Sequence, residues 1–168
     1  MSATSPTAMT AMTASTERRK VGMLVPPPVL LAALVKLAAV AQLLWFGGFS
    51  YSLPRSMAGG LLLAASMALV GWCSGLFKRA GTPVRPTSPS TAIVRTGPYR
   101  ISRHPMYLGM AGVLAGLGLV TGSTCAAVAV ALFIGIVHFG VVVREERYLA
   151  QVHGEAYRRY QQQVRCWL

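Results

Sequence analysis

Residues 95–110 read RTGPYRISRHPMYLGM, and the reading of this stretch decides the fold. Three arginines, a histidine and two prolines run directly into a Gly-rich apolar segment. Proline is tolerated at the first position of a helix, where its missing N–H costs nothing. His104-Pro105 therefore predicts a helix start, with residues 106–120 as the apolar body. Prolines at 83, 86, 89 and 98 exclude a continuous helix across the preceding polar loop, residues 78–103. A basic, aromatic turn joined to an apolar helix reads as a membrane edge.

Three further apolar runs flank this segment, at residues 24–46, 57–77 and 124–143. Crossing hydrocarbon takes about 20 apolar residues, which each of the three supplies. The 106–120 run is short for a full crossing. Only Thr121-Gly122-Ser123 separates it from the next run, so a tight helical hairpin, tilted or partly re-entrant, is expected. Hydrophobic residues make up 54% of the 168-residue chain and charged residues 12%, which excludes an ordinary soluble domain. The expected fold is an all-α membrane protein. It has about four transmembrane helices, the last two a tight hairpin, and a C-terminal amphipathic cytoplasmic helix.

Net charge is +12. The basic residues flank the apolar runs, so anionic lipid headgroups, and not nucleic acid, are the expected partner. Four spans place the N-terminal tail, the 78–103 loop and the C-terminal tail on one side. These hold 3, 6 and 5 of the 16 Lys and Arg. The positive-inside rule then predicts cytoplasmic N- and C-termini. Residues 1–22 read as a disordered tail and 23–168 as one membrane domain. Ala39-Val40-Ala41 resembles a signal cleavage site, but the length of the apolar run favours a retained helix.

Gly109, Gly112, Gly116, Gly118 and Gly122 line the third helix, and two Gly-x-x-x-Gly steps let a backbone approach closely. Packing within the hairpin is the first expectation; space for a ligand, or a dimer face, is the alternative. The three cysteines, Cys73, Cys125 and Cys166, form no C-x-x-C, and no His/Cys cluster has metal spacing. Cys166 stands third from the end, and a prenylation box needs it fourth, so the chain is not an expected prenylation substrate.

The segment 144–168 carries Tyr148, Leu149, Val152 and Ala156 at helical spacing, with Gly154 as a weak point. Glu145-Glu146 stands where the last span ends. Arg103-His104 stands where the third begins. A hairpin brings these ends together, so Arg103, His104, Tyr107, Glu145 and Glu146 are expected at one cytoplasmic mouth. The bland reading is a snorkelling belt of Arg, Tyr and Glu. The sharper one is a polar ligand site at a helix start. His138 lies seven residues before Glu145, which predicts a shared helix face. Lys36 reads as snorkelling or facing a polar cavity.

Taken together, GPYRISRHPMYLG and, further on, REERYLAQVHGEAYRRYQQQVRCW resemble the isoprenylcysteine carboxyl methyltransferase family. This wider group of membrane methyltransferases includes phospholipid N-methyltransferases. The resemblance covers roughly residues 60–168, with its motifs in 95–168. It implies S-adenosyl-L-methionine as methyl donor and a lipophilic acceptor reached from the bilayer. It places Tyr99, His104, Pro105, Tyr107, Leu108, Gly109, Glu145 and Glu146 at the cofactor, and Arg103, His104, Glu145 and Glu146 in the chemistry. Two departures, His153 before Gly154 and the ending VRCWL, bear on how the tail docks.

The expected activity is methyl transfer to an acceptor such as a prenylcysteine carboxylate. A phospholipid amine or a small hydrophobic thiol is the alternative acceptor. A non-enzymatic four-helix membrane protein or a small transporter is the alternative from another class. A transporter predicts internal repeats and a midplane site, neither of which the sequence shows.

Overall fold

A computed structural model describes residues 26–81 and 93–168. The N-terminal tail at 1–22 and the prolines at 83, 86 and 89 lie outside the described residues. The helices are α1 (Pro27–Phe46), α2 (Leu53–Arg79), α3 (Pro105–Thr121), α4 (Thr124–Val137), α5 (Val143–His153) and α6 (Glu155–Gln163). Among the described residues there is no β-strand, and Gly97–Arg100 forms a 3₁₀ turn ahead of α3. Three helical stretches, Pro27–Phe46, Leu53–Arg79 and Thr124–His153, are long and apolar enough to cross a membrane; α3 is a shorter apolar helix. The chain is an all-α membrane protein.

Local chemistry sets the helix ends. Proline stands in the first turn of α1, α2 and α3, where its fixed φ suits a helix start. Gly122 ends α3 in the left-handed conformation (φ +66°), where a Cβ would collide with Ser50 O. That tight cap lets α4 start two residues later.

The core lies between α1, α3 and α4. Leu34 and Ala38 of α1 pack with Tyr107, Ala111 and Leu114 of α3, and with Ala129, Phe133 and Val137 of α4. Outward faces carry exposed Leu43, Leu44, Trp45, Leu61, Trp72 and Val128, as lipid-facing surfaces do. Lys36 is exposed on α1.

Four of the five α3 glycines behave as packing residues, and their main partner is α2. A Cβ on Gly116 would sit 2.9 Å from Leu63 N, one on Gly112 would strike Ser66 Oγ, and one on Gly109 would meet Val70 Cγ2 at 2.7 Å. Only Gly118 faces α4, against Ala126. The expectation of packing within the hairpin therefore needs correction: the small-residue face is spent chiefly on the long α2, whose Gly59 completes the seam.

Polar ties fasten the end away from the motif. Buried Gln42 accepts from Ser123 Oγ (3.2 Å), Thr124 Oγ1 (3.3 Å) and Cys125 N (3.4 Å), joining α1 to the α3–α4 turn. Its amide donates to Gly48 O at 3.0 Å. Arg55 Nε donates to Leu119 O at 3.2 Å and Ser56 Oγ to Val120 O at 3.0 Å, satisfying carbonyls that the end of α3 leaves open.

The amphipathic C-terminal segment is helical and grows directly out of the last span. Thr124–His153 runs on without a break, with α5 continuing α4 through a π-helical segment, His138–Val142. The break comes at Gly154, whose φ of 53° and ψ of −128° end α5 and start α6.

Candidate functional site

The site forms where α3 begins and α5 passes it. His104 precedes Pro105, and its carbonyl accepts from Tyr107 N and Leu108 N, both at 3.2 Å. Pro105 has no N–H. The helix start thus keeps few donors for a ligand, fewer than a free helix N-terminus offers. Its ligand-binding capacity lies in side chains.

Those side chains converge on the two glutamates. His104 Nε2 lies 3.2 Å from Glu146 Oε1, and Arg103 Nη1 reaches the same oxygen at 3.0 Å. Gln161 Nε2 of α6 donates to Glu146 Oε2 at 3.4 Å. Tyr107 Oη donates to Glu145 Oε2 at 3.0 Å. The His104 and Tyr107 rings stack with centroids 5.8 Å apart. Segments 42 residues apart in sequence meet here, as the hairpin requires.

Burial gives this cluster its electrostatic character. Desolvation alone would lower the His104 pKa. Hydrogen bonds with Cys166 and Glu146 and the charge of Glu145 outweigh it and push the imidazole up to about 9. His104 is therefore a cation near neutrality, the partner of Glu146 and not a free base. Arg103 Nε is buried with no hydrogen-bond partner, a donor that the described residues leave unmet.

The tail returns to the site. Arg103 N donates to Arg165 O at 3.0 Å, and Ser102 pairs with Arg165 in an isolated bridge. Ser102 Oγ donates to Cys166 O at 3.3 Å and accepts from His104 N at 3.2 Å. Trp167 sits between two histidines, with ring centroids 6.3 Å from His104 and 6.1 Å from His138. Its indole N–H donates to His138 Nδ1 at 3.3 Å.

The other sequence-predicted residues divide. Pro105 is buried at the helix start and Leu108 is half-buried in its first turn. Gly109 packs against α2. Tyr99 is buried, edge-on to Phe77 of α2 at 5.5 Å. The expected shared face of His138 and Glu145 is corrected, because the intervening π segment disrupts the 3.6-residue spacing. His138 pairs with Trp167, whereas Glu145 pairs with Tyr107. Exposed Glu155 lies outside the cluster and pairs with Arg158.

Several residues at the site lie in the tail stretch that carries the resemblance, without having been singled out as site residues. Gln161, Cys166 and Trp167 reach it only because α6 and the tail fold back. Tyr160 anchors that return: its buried hydroxyl donates to Tyr99 O at 2.7 Å, and Arg95 lies 5.5 Å over its ring. Tyr160→Phe leaves the Tyr99 carbonyl unmet and is expected to cost about 1–3 kcal/mol. Faster proteolysis at 164–168 in the variant checks it.

Comparison with known proteins agrees with this architecture. The model of the phospholipid methyltransferase family matches residues 54–156, more than half of the chain. An uncharacterized protein of Haemophilus influenzae is 40% identical over 63 residues, 38% of this chain and 100% of that protein. The cobalt-zinc-cadmium resistance protein CzcN of Cupriavidus metallidurans is 31% identical over 97 residues, 56% of this chain and 41% of that one. The nickel-cobalt-cadmium resistance protein NccN of Alcaligenes xylosoxydans xylosoxydans is 32% identical over 92 residues, 54% of this chain and 39% of that one. The chain thus spans about two fifths of the length of the two resistance proteins. No solved structure matches it. With its helical hairpin, its edge cluster and a match that runs from the start of α2 through α5, the chain belongs to the phospholipid methyltransferase family of membrane methyltransferases.

Proposed function

We propose that this chain binds S-adenosyl-L-methionine at the Arg103–His104–Glu146 cluster and directs methyl transfer to a lipophilic acceptor such as a prenylcysteine carboxylate. The observation that carries the proposal is the juxtaposition itself. Two carboxylates, a guanidinium with an unmet N–H and three aromatic or imidazole rings meet where an apolar bundle ends.

These groups suit the donor's parts. The unmet Arg103 Nε fits an amino-acid carboxylate, and Glu145 and Glu146 fit an ammonium or ribose hydroxyls. Tyr107 and Trp167 offer ring faces to a sulfonium. When bound, the donor supplies an electrophilic methyl group.

The protein's part is positioning and exclusion of water. Tyr107 fixes Glu145, Arg103 and His104 fix Glu146, and the returning tail covers the helix start. A carboxylate acceptor is already a nucleophile and needs no base. The side the site faces is, by the charge distribution, the cytoplasmic one, so donor and acceptor each arrive from their own phase.

Membranes bearing the protein, given methyl-labelled donor, test the acceptor. Base-labile label on a prenylcysteine is expected. Base-stable label on a phospholipid amine or a hydrophobic thiol would replace that acceptor. Label on none of the three, in protein that binds the donor, would overturn the acceptor assignment.

A further inference from the structure

The sequence reading leaves Cys166 as a tail residue, yet the fold delivers it to the site. His104, Glu146 and Cys166 each present one ligand atom, and the three atoms lie within 4.8 Å of one another. They come from the start of α3, from α5 and from the tail, so no spacing motif announces them. We propose that His104, Glu146 and Cys166 form a binding site for a thiophilic divalent cation, of the Zn²⁺ or Cd²⁺ class, whose occupation excludes the methyl donor.

The donor set is one nitrogen, one oxygen and one sulfur. Three protein ligands with a fourth position open is a familiar tetrahedral arrangement for Zn²⁺. With metal–nitrogen and metal–sulfur bonds of about 2.0 and 2.3 Å, ligand atoms sit about 3.5 Å apart, so closure takes about 1 Å of movement. The backbone is already tied. Ser102 Oγ bonds both His104 N and Cys166 O, and Arg103 N bonds Arg165 O, which holds the cysteine beside the histidine. Rotation of the Cys166 side chain is the main adjustment. Two protons pass to solvent as the site fills, one from the Cys166 thiol as the metal–sulfur bond forms and one from the His104 imidazolium as the metal–nitrogen bond forms.

Arg103 sharpens the class. Its Nη1 sits 3.0 Å from the Glu146 oxygen that also faces His104. That positive charge opposes any cation held by electrostatics alone, so Mg²⁺ and Ca²⁺, which need oxygen ligands, are excluded. A cation that bonds strongly to thiolate and imidazole overcomes it.

The exclusion of the donor rests on the proposed donor site, because His104 and Glu146 belong to both. Metal binding itself does not depend on it. The experiment is titration of the purified protein in nanodiscs with Cd²⁺ alone, followed by the ultraviolet charge-transfer band of the cadmium–thiolate bond. Mg²⁺ serves as the control. One equivalent of Cd²⁺ is expected to raise the band, and Mg²⁺ to raise none.

Loss of an outer-sphere partner costs about 10–100-fold in metal affinity, so Cys166→Ser, which deletes a direct ligand, is expected to cost at least that. Glu146→Gln is expected to weaken the cadmium site while leaving the thiolate band visible at higher concentration. An unchanged melting temperature shows that each variant is folded. A band that survives Cys166→Ser, or a cadmium affinity indifferent to Glu146→Gln, overturns the site. A second titration reads donor binding. Cd²⁺ is expected to compete with S-adenosylmethionine in the native protein and not in Cys166→Ser. If the native protein gives the band but binds no donor, the donor reading fails while the metal site stands. If both bind without competing, the exclusion is wrong.

Discussion

Glu146→Gln is expected to weaken S-adenosylmethionine binding by about 10- to 150-fold, the worth of a hydrogen bond to a charged group at about 1.5–3 kcal/mol. The substitution keeps the side-chain shape and removes the charge that Arg103 and His104 both face. Two cations then stand together without their counter-ion, and the donor meets net positive charge. Glu145→Gln has the smaller effect, since a glutamine oxygen still accepts from the Tyr107 hydroxyl and Glu146 remains as counter-ion to Arg103 and His104. Calorimetry on both variants checks the order, with Glu146→Gln the weaker binder. Equal affinities for native protein and Glu146→Gln would remove Glu146 from the donor site.

The second large effect is structural. Gly59→Val is expected to destabilise the bundle by about 1–3 kcal/mol or more, because its Cβ would press on backbone that cannot rotate away. That Cβ would lie 2.6 Å from Val120 N and 2.8 Å from Gly116 O. The neighbouring Gly60 meets nothing within 4 Å, so Gly60→Val is the matched control. The β-branched residue is the same and the helix is the same; only the neighbour across the seam differs. A lower melting temperature for Gly59→Val alone identifies the α2–α3 seam as the source. Equal shifts would mean that helix propensity, not packing, dominates.

These two predictions mark what the sequence made legible and what it hid. Apolar runs of spanning length located the helices, because hydrocarbon demands about 20 apolar residues whatever the partners. His104-Pro105 located the start of α3, because proline there is a local rule. The meeting of Arg103-His104 with Glu145-Glu146 followed from the brevity of the hairpin turn. The glycine face was visible, yet its partner was not. Whether α3 packs on α2 or α4 depends on where the helices lie in space.

The unbroken passage from α4 into α5 was illegible for a different reason. Arg144-Glu145-Glu146 looks like the exit from a membrane, but polarity changes without breaking a helix, and the π segment at His138–Val142 has no composition of its own. The tail was hidden most completely. Arg165 and Cys166 are fixed through backbone atoms, which every residue has, and Trp167 finds His138 only after Gly154 has turned the chain.

The most direct test of the central claim is binding of S-adenosylmethionine to the native protein in lipid nanodiscs, measured by calorimetry with S-adenosylhomocysteine as competitor. The account predicts saturable binding of one donor per chain, displaced by the competitor and lost when Glu145 and Glu146 are both replaced by Gln. Folded protein in lipid that gives no heat with either compound would contradict it.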